Sequence, residues 1–390
     1  MKRMNILYKL AAGTAAAFLI TGCAASYTES TVIDRIADAE VSSENQTGED
    51  TGIYKYDEVI ELSDDSGDVN ITEGGIYLLT GSSEDCTVRI DAGEDESVTL
   101  ILEDAKIVSK STAAIYAESA GDVNIILTGD SILMNEEGFD DPGDEEIDAV
   151  VCSETYMTIS GDGELRITAG DGKGISVNDS LNISGGYIDI DASDDGINVN
   201  EDFLMTGGSL TVKAGDDGIH ADANLTIEDG DITIGGAEGL EATCVLINGG
   251  KIVINATDDG INAALKTEDM DVKVEINGGD ITIVMGDGDT DGIDSNGDLI
   301  INGGMIDITG QSACDYDGNA ELNGGTLIIN GEETDSVPNQ FMGGGFESDG
   351  GFGGGLRPEG APGQGGNFGG REDFMPGDGQ ALGEPPAGDL

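Results

Sequence analysis

The 390-residue sequence has no tryptophan, a single histidine, and only 16 lysines and arginines against 79 aspartates and glutamates. So few basic residues leave no footprint for nucleic acid, which excludes that partner. The missing tryptophan removes the flat aromatic platform that usually grips cellulose. No Cys-x-x-Cys and no Cys/His spacing occurs, so the linear signs of zinc and redox chemistry are absent. Nothing between residues 53 and 135 reads as a long amphipathic helix. What the chain does have is 63 glycines and a formal net charge of -63. Acidity of that order, taken alone, describes a self-repelling disordered chain. The middle of the sequence argues otherwise, because its apolar residues alternate regularly. A folded domain with this charge needs compensating cations.

The regularity is a repeat. Asp194-Asp195-Gly196-Ile197-Asn198 returns as Asp216-Asp217-Gly218-Ile219-His220, then in looser form at 237–241, 258–262 and 290–294. Its apolar member stands at 197, 219, 240, 261 and 293, in steps of 22, 21, 21 and 32 residues. A near-constant period of this size means stacked units. Within one turn, alternation points Leu181 and Ile183, then Ile188, Ile190 and Ala192, then Ile197 and Val199 inward, with glycines at the corners. The next turn puts Phe203, Met205, Leu210, Val212, Ala214, Ile219 and Ala221 on the same positions. One turn cannot bury its apolar face, whereas turns stacked at strand spacing, about 4.8 Å, bury a continuous column. The predicted fold is all-β: a right-handed parallel β-helix, a solenoid with three short strands in each turn of about 22 residues. A second column supports the register. Asn248, Asn277, Asn302 and Asn323 each precede Gly-Gly and can join amide to amide along the axis, at positions that Asn-Gly turn preference also favours. Residues 262–273 interrupt the period, which explains the 32-residue step.

Residues 1–22 read as a targeting segment rather than part of the fold. Lys2, Arg3 and Lys9 are followed by an apolar run, Leu10 to Ile20, too short for an ordinary membrane span. The segment ends Ile20-Thr21-Gly22-Cys23, which resembles a bacterial lipobox and implies cleavage before Cys23 and lipidation of its sulfur. The expected location is the extracellular face of the bacterial cell membrane. Residues 23–52 read as the lipidated cysteine and a flexible linker, 53–333 as the β-helix, and 334–390 as a disordered Gly/Pro-rich acidic tail. A monomer is expected. An acidic Pro/Gly-containing insertion at 135–147 reads as a loop whose carboxylates could serve a cation or simply face water. Cys86, Cys152, Cys244 and Cys314 allow three pairings that sequence does not decide; small buried filler is their expected role.

Stacking gives the repeat its chemistry. Asp195, Asp217, Glu238, Asp259 and Asp291 fall into one row, and Asn198, His220, Glu241, Asn262 and Asp294 into a second beside it. Like charges about 5 Å apart repel by roughly a kcal/mol or more even at surface-like dielectric. A row of them requires raised pKa values or an intervening cation, and calcium tolerates such an irregular set of oxygens. Asp287-Gly288-Asp289-Thr290-Asp291-Gly292, with Asp298 at the twelfth position, resembles an EF-hand calcium loop, although it carries Asp in place of Glu there and lacks flanking helices. The predicted calcium ligands are Asp195, Asp217, Glu238, Glu241, Asp259, Asp287, Asp289, Asp291 and Asp294. The competing reading is a set of Asp-Gly turns facing water.

Asp91-Ala92-Gly93, Val98-Thr99-Leu100-Ile101-Leu102-Glu103-Asp104 and Ala114-Ile115-Tyr116, together with Leu165-Arg166-Ile167-Thr168 and the later Gly-Gly and Asp-Asp-Gly-Ile repeats, resemble the carbohydrate-binding domain-containing β-helix proteins. The resemblance covers residues 53–333 and implies a pectate-lyase-like right-handed β-helix, bound calcium, and a polysaccharide ligand such as acidic cell-wall sugars or cellulose. It assigns no sugar-contacting residue; Tyr187 and Leu204 are surface candidates. Three functions follow. The first is calcium-dependent, non-catalytic glycan binding. The second is a polysaccharide lyase, with Lys173 as its basic residue, since calcium can acidify a uronate C5 proton; Lys266 lies in the inserted loop. The third is a structural or adhesive surface protein.

Overall fold

The computed structural model describes residues 54–339, apart from 111, 137–138, 140–146 and 287–289. Within them all regular structure is strand: 31 strands and no helix. Up to the C-terminal hairpin, strands pair in parallel with their counterparts one coil further on. Leu181, Asn182 and Ile183 lie beside Phe203, Leu204 and Met205, and Ile197, Asn198 and Val199 beside Ile219, His220 and Ala221. The result is a parallel β-solenoid of about 11 turns with roughly 23 residues in each.

The alternation read from the sequence is the burial pattern. Leu181, Ile183, Ile188, Ile190, Ala192, Ile197 and Val199 are all buried, as are Phe203, Met205, Leu210, Val212, Ile219 and Ala221 one coil on; Ala214 is half-buried against the same core. A single apolar column runs from Leu62 to Leu327. Cys86, Cys152 and Cys314 are free thiols, and all four cysteines of the solenoid are buried.

The asparagine column forms a ladder. Asn277 Nδ2 donates to Asn248 Oδ1 at 2.9 Å, Asn302 to Asn277 at 2.8 Å and Asn323 to Asn302 at 3.0 Å. The second glycine of each Asn-Gly-Gly corner has positive φ, from +80° at Gly325 to +99° at Gly279, a conformation that favours glycine. At the C-terminal end the pattern changes. Thr326–Ile329 pairs antiparallel with Glu332–Thr334, the one antiparallel pairing among the described residues. Asn330 and Gly331, at φ +52° and +81°, make its two-residue turn, as left-handed Asn-Gly pairs do in hairpins.

Candidate functional site

The acidic column forms at the corner where one strand of each coil ends and the next face begins. Tyr187–Ala192 ends, Ser193 to Gly196 turn the corner, and Ile197–Val199 begins the next face. The motif glycine is set by close approach. A Cβ on Gly196 would lie 2.2 Å from Val212 Cγ1 and 2.7 Å from Gly218 O. With no side chain in the way, Gly196 N donates to Asp217 O at 2.8 Å, Gly218 N to Glu238 O at 2.9 Å, Gly239 N to Asp259 O at 2.9 Å and Gly260 N to Asp291 O at 2.9 Å. These bonds stack the first acidic row. Strand register builds the second: Asn198 opposite His220, His220 opposite Glu241, Glu241 opposite Asn262, and Asn262 opposite Asp294.

Side chains tie the rows together. Asp195 Oδ1 accepts from Asp217 N at 3.2 Å and its Oδ2 from Asn198 Nδ2 at 3.2 Å. Asp259 Oδ1 accepts from Asp291 N at 2.9 Å, and Ser312 Oγ bonds to Asp291 Oδ1. Asn262 Nδ2 reaches Glu238 Oε2 at 2.9 Å and Glu241 Oε1 at 3.3 Å. The Oδ1 of Asn262 is buried without a hydrogen-bond partner. Because its amide nitrogen faces Glu238 and Glu241, that oxygen is turned away from them.

The charge of the column shows in its titration. Burial, and then the carboxylates of Asp217 and Asp194, hold the Asp195 carboxyl up at about 6. Burial with Asp294, Asp258 and Asp291 raises Asp259 to about 7, and burial with Asp291 and Asp315 raises Asp294 to about 6. Glu238 rises to about 8 through burial and the charges of Glu241, Asp217 and Asp259, despite the Asn262 hydrogen bond. Burial also raises Asp217, against its bond from His220.

The centre is different. His220 Nδ1 sits 3.2 Å from Asp217 Oδ2 and 2.6 Å from Glu241 Oε2, and its Nε2 lies 3.1 Å from Asp222 Oδ1. Lys266 Nζ lies 2.5 Å from Glu241 Oε1. Burial works against charge on Glu241 and His220, but their pairings dominate: Glu241 falls to about 2 and His220 rises to about 10. Each oxygen of Glu241 therefore faces a protein cation, Oε2 towards His220 and Oε1 towards Lys266.

Oxygen-only donors lie on either side of that centre. Asp194, Asp195 and Asp216 can each offer a carboxylate oxygen within 4.8 Å of the others, a set suited to a hard cation. Beyond it, Asp259 accepts from the backbone of Asp291, and Asp294 lies opposite Asn262 in register. The loop-like chelate expected over 287–298 falls partly outside the described residues. Asp287 and Asp289 lie outside the described residues, while Asp291 and Asp298 belong to separate strands. Asp298 Oδ1 accepts from Asn319 N at 2.7 Å, on the following coil. Stacking makes donors converge across rungs rather than along the chain.

Lys173 is bound to Asp148 and lies 3.9 Å from Asp194. Burial opposes its charge, yet Asp148 wins and its pKa is raised. Tyr187 is 61% exposed on the strand before the acidic corner, between Glu164 and Ser209, and Leu204 is half-buried on Phe203–Met205, the strand after Ile197–Val199. Cys23 lies outside the described residues, as does most of the 135–147 insertion. Sequence reasoning placed His220 in the column but gave it no role. A histidine standing where the preceding copy has Asn198 was the available signal. Lys266 and Asp222 carried none.

A family model described as carbohydrate-binding domain-containing protein matches residues 65–336. A carbohydrate-binding domain-containing protein of Acetivibrio thermocellus is 34% identical over 140 residues, which cover 35% of this chain and 49% of that protein. The chain thus spans about half the length of that relative. The solved structure of the polysaccharide lyase-like protein from C. thermocellum, a gadolinium derivative, is 26% identical with a TM-score of 0.48, covering 68% of this chain and 97% of that one.

Proposed function

This chain belongs to the family of carbohydrate-binding domain-containing proteins, and from that premise we propose that it binds acidic polysaccharide without cleaving it, in a calcium-dependent way, along the acidic column. The observation that carries this reading is the row of buried and partly buried carboxyls with raised pKa values, Asp195, Glu238, Asp259 and Asp294. Their charges have too few partners in the protein. A calcium ion held by Asp194, Asp195 and Asp216 would supply the positive charge that an anionic sugar needs near so acidic a surface.

Binding is favoured over lyase chemistry by the state of the column's basic groups. A lyase needs a base with a free lone pair at working pH. Lys173, Lys266 and His220 are all shifted towards their protonated forms by neighbouring carboxylates. Display at the outer face of the cell membrane through lipid on Cys23 belongs to the same proposal and rests on the lipobox-like Ile20-Thr21-Gly22-Cys23.

Isothermal titration with polygalacturonate, in calcium and then in chelator, tests the reading. Binding in calcium and its loss in chelator are expected. Equal binding in both, or none in calcium, sinks it. Accumulation of unsaturated uronate in the same samples would move the assignment to a lyase.

A further inference from the structure

We propose that Asp217, His220 and Glu241 form a binding site for a borderline divalent metal ion of the zinc class, distinct from the oxygen-only positions beside it and independent of the glycan-binding reading. Three short-range facts converge on it. His220 and Glu241 face each other across one rung, and Asp217 lies three residues before His220 on the same coil. One ligand atom of each residue lies within 4.8 Å of the other two. All three side chains are largely withdrawn from solvent, at 11%, 15% and 7% exposure for Asp217, His220 and Glu241.

The donor set separates this position from the rest of the column. One imidazole nitrogen with two carboxylate oxygens suits zinc, whereas calcium and magnesium select oxygen. The ring is also aimed. His220 Nε2 is bonded to Asp222 Oδ1 at 3.1 Å, which presents Nδ1 to Asp217 and Glu241. A carboxylate behind the imidazole is the arrangement that orients histidine ligands at metal centres and raises their basicity. Glu241 is likewise braced from behind, its Oε1 held by Lys266 Nζ at 2.5 Å and Asn262 Nδ2 at 3.3 Å, leaving Oε2 towards the imidazole.

A tetrahedral ion with bonds of about 2.0–2.1 Å sets neighbouring ligand atoms roughly 3.3 Å apart. His220 Nδ1 and Asp217 Oδ2 are 3.2 Å apart, while Glu241 Oε2 stands at 2.6 Å from Nδ1. The Glu241 carboxylate thus retreats by about 0.7 Å on metal binding. The ion replaces the proton on Nδ1, which leaves to solvent, and no covalent bond is otherwise made or broken. Three protein ligands leave a fourth position for water or an oxygen of a bound molecule. Linear spacing conceals this site because its ligands come from two coils.

The test uses the full untagged chain, freed of metal by chelator, and zinc chloride as the probe. The sequence holds one histidine, so the imidazole nitrogen resonances of His220 assign themselves. Zinc is expected to bind with one-site behaviour at this position and to move those resonances, while calcium at the same concentration leaves them in place. His220→Asn is expected to weaken this zinc binding at least tenfold. Asp222→Asn, which keeps all three ligands, is expected to weaken it by about 10- to 100-fold with the β-sheet circular dichroism retained. That second variant decides the matter if the first fails to fold. Ring signals unmoved by zinc, zinc affinity unchanged in the variants, or an equal response to calcium would each overturn the assignment.

Discussion

Lys266 Nζ lies 2.5 Å from Glu241 Oε1, although the lysine belongs to the segment that interrupts the repeat. The backbone of that segment is pinned as well. Lys266 N and Thr267 N donate to the buried Thr243 Oγ1 at 2.8 and 3.1 Å, and Thr243 Oγ1 donates to Asp222 O at 2.7 Å. The insertion thus acts as a strap that brings a cation back to the acidic column.

Lys266→Met removes that cation and keeps most of the side-chain volume. The lysine is partly exposed, so the ion pair is screened, and a loss of about 1 kcal/mol is expected. Denaturant unfolding measures the loss, and faster amide exchange at Lys266 and Thr267 would locate it in the strap.

Acidic groups with raised pKa values make stability depend on pH in a direction opposite to the common one. Asp195 and Asp294, at about 6, Asp259, at about 7, and Glu238, at about 8, bind more protons folded than unfolded as pH rises from about 4 towards those values. Stability of the metal-free protein therefore falls across that window. His220, raised to about 10, acts in the same sense above its unfolded value, its contribution being lost as pH rises towards 10. Glu241, lowered to about 2, acts oppositely, but below its unfolded value near 4.5. Metal-free protein is expected to melt at a higher temperature at pH 5 than at pH 8, and calcium to raise the melting temperature more at pH 8. A calcium effect as large at pH 5 as at pH 8 would contradict carboxylate ligation in the column.

Gly218→Ala should disrupt the stacking itself. The added methyl would meet Ile234 Cγ2 at 2.2 Å and Gly239 O at 2.7 Å, and overpacking of this kind costs typically about 1–3 kcal/mol. Gly170→Ala is the control, since its methyl finds only Asn135 O, at 3.7 Å. Thermal unfolding of the two variants should separate them clearly.

Asn277→Ala removes two rungs of the amide ladder, the bonds to Asn248 and from Asn302. These bonds are exposed, so a total near 1 kcal/mol is expected. A drop in the denaturant midpoint without a change in its slope would identify a pure stability effect.

Much of this molecule was legible in order. Repeat length predicted the coil, alternation predicted the inward residues, and the Asn-Gly-Gly spacing predicted an amide ladder that the structure contains. Both acidic rows were readable because register in a solenoid follows from counting. The EF-hand-like reading of 287–298 ran along the chain, and its Asp287 and Asp289 lie outside the described residues, whereas the contacts of the Asp298 carboxylate run across coils. Asp298 turns instead to Asn319 on the next coil.

The sequence by itself determined the solenoid, its core and the two rows, since these depend only on period and polarity. Only the tertiary structure decided which carboxylates have partners. Lys266 reaches Glu241 along a path no period encodes, and His220 stands between acids from two coils. The physical reason is that a charge is set by what surrounds it within a few ångströms. In a stacked chain, most of those neighbours lie a full coil or more away in sequence.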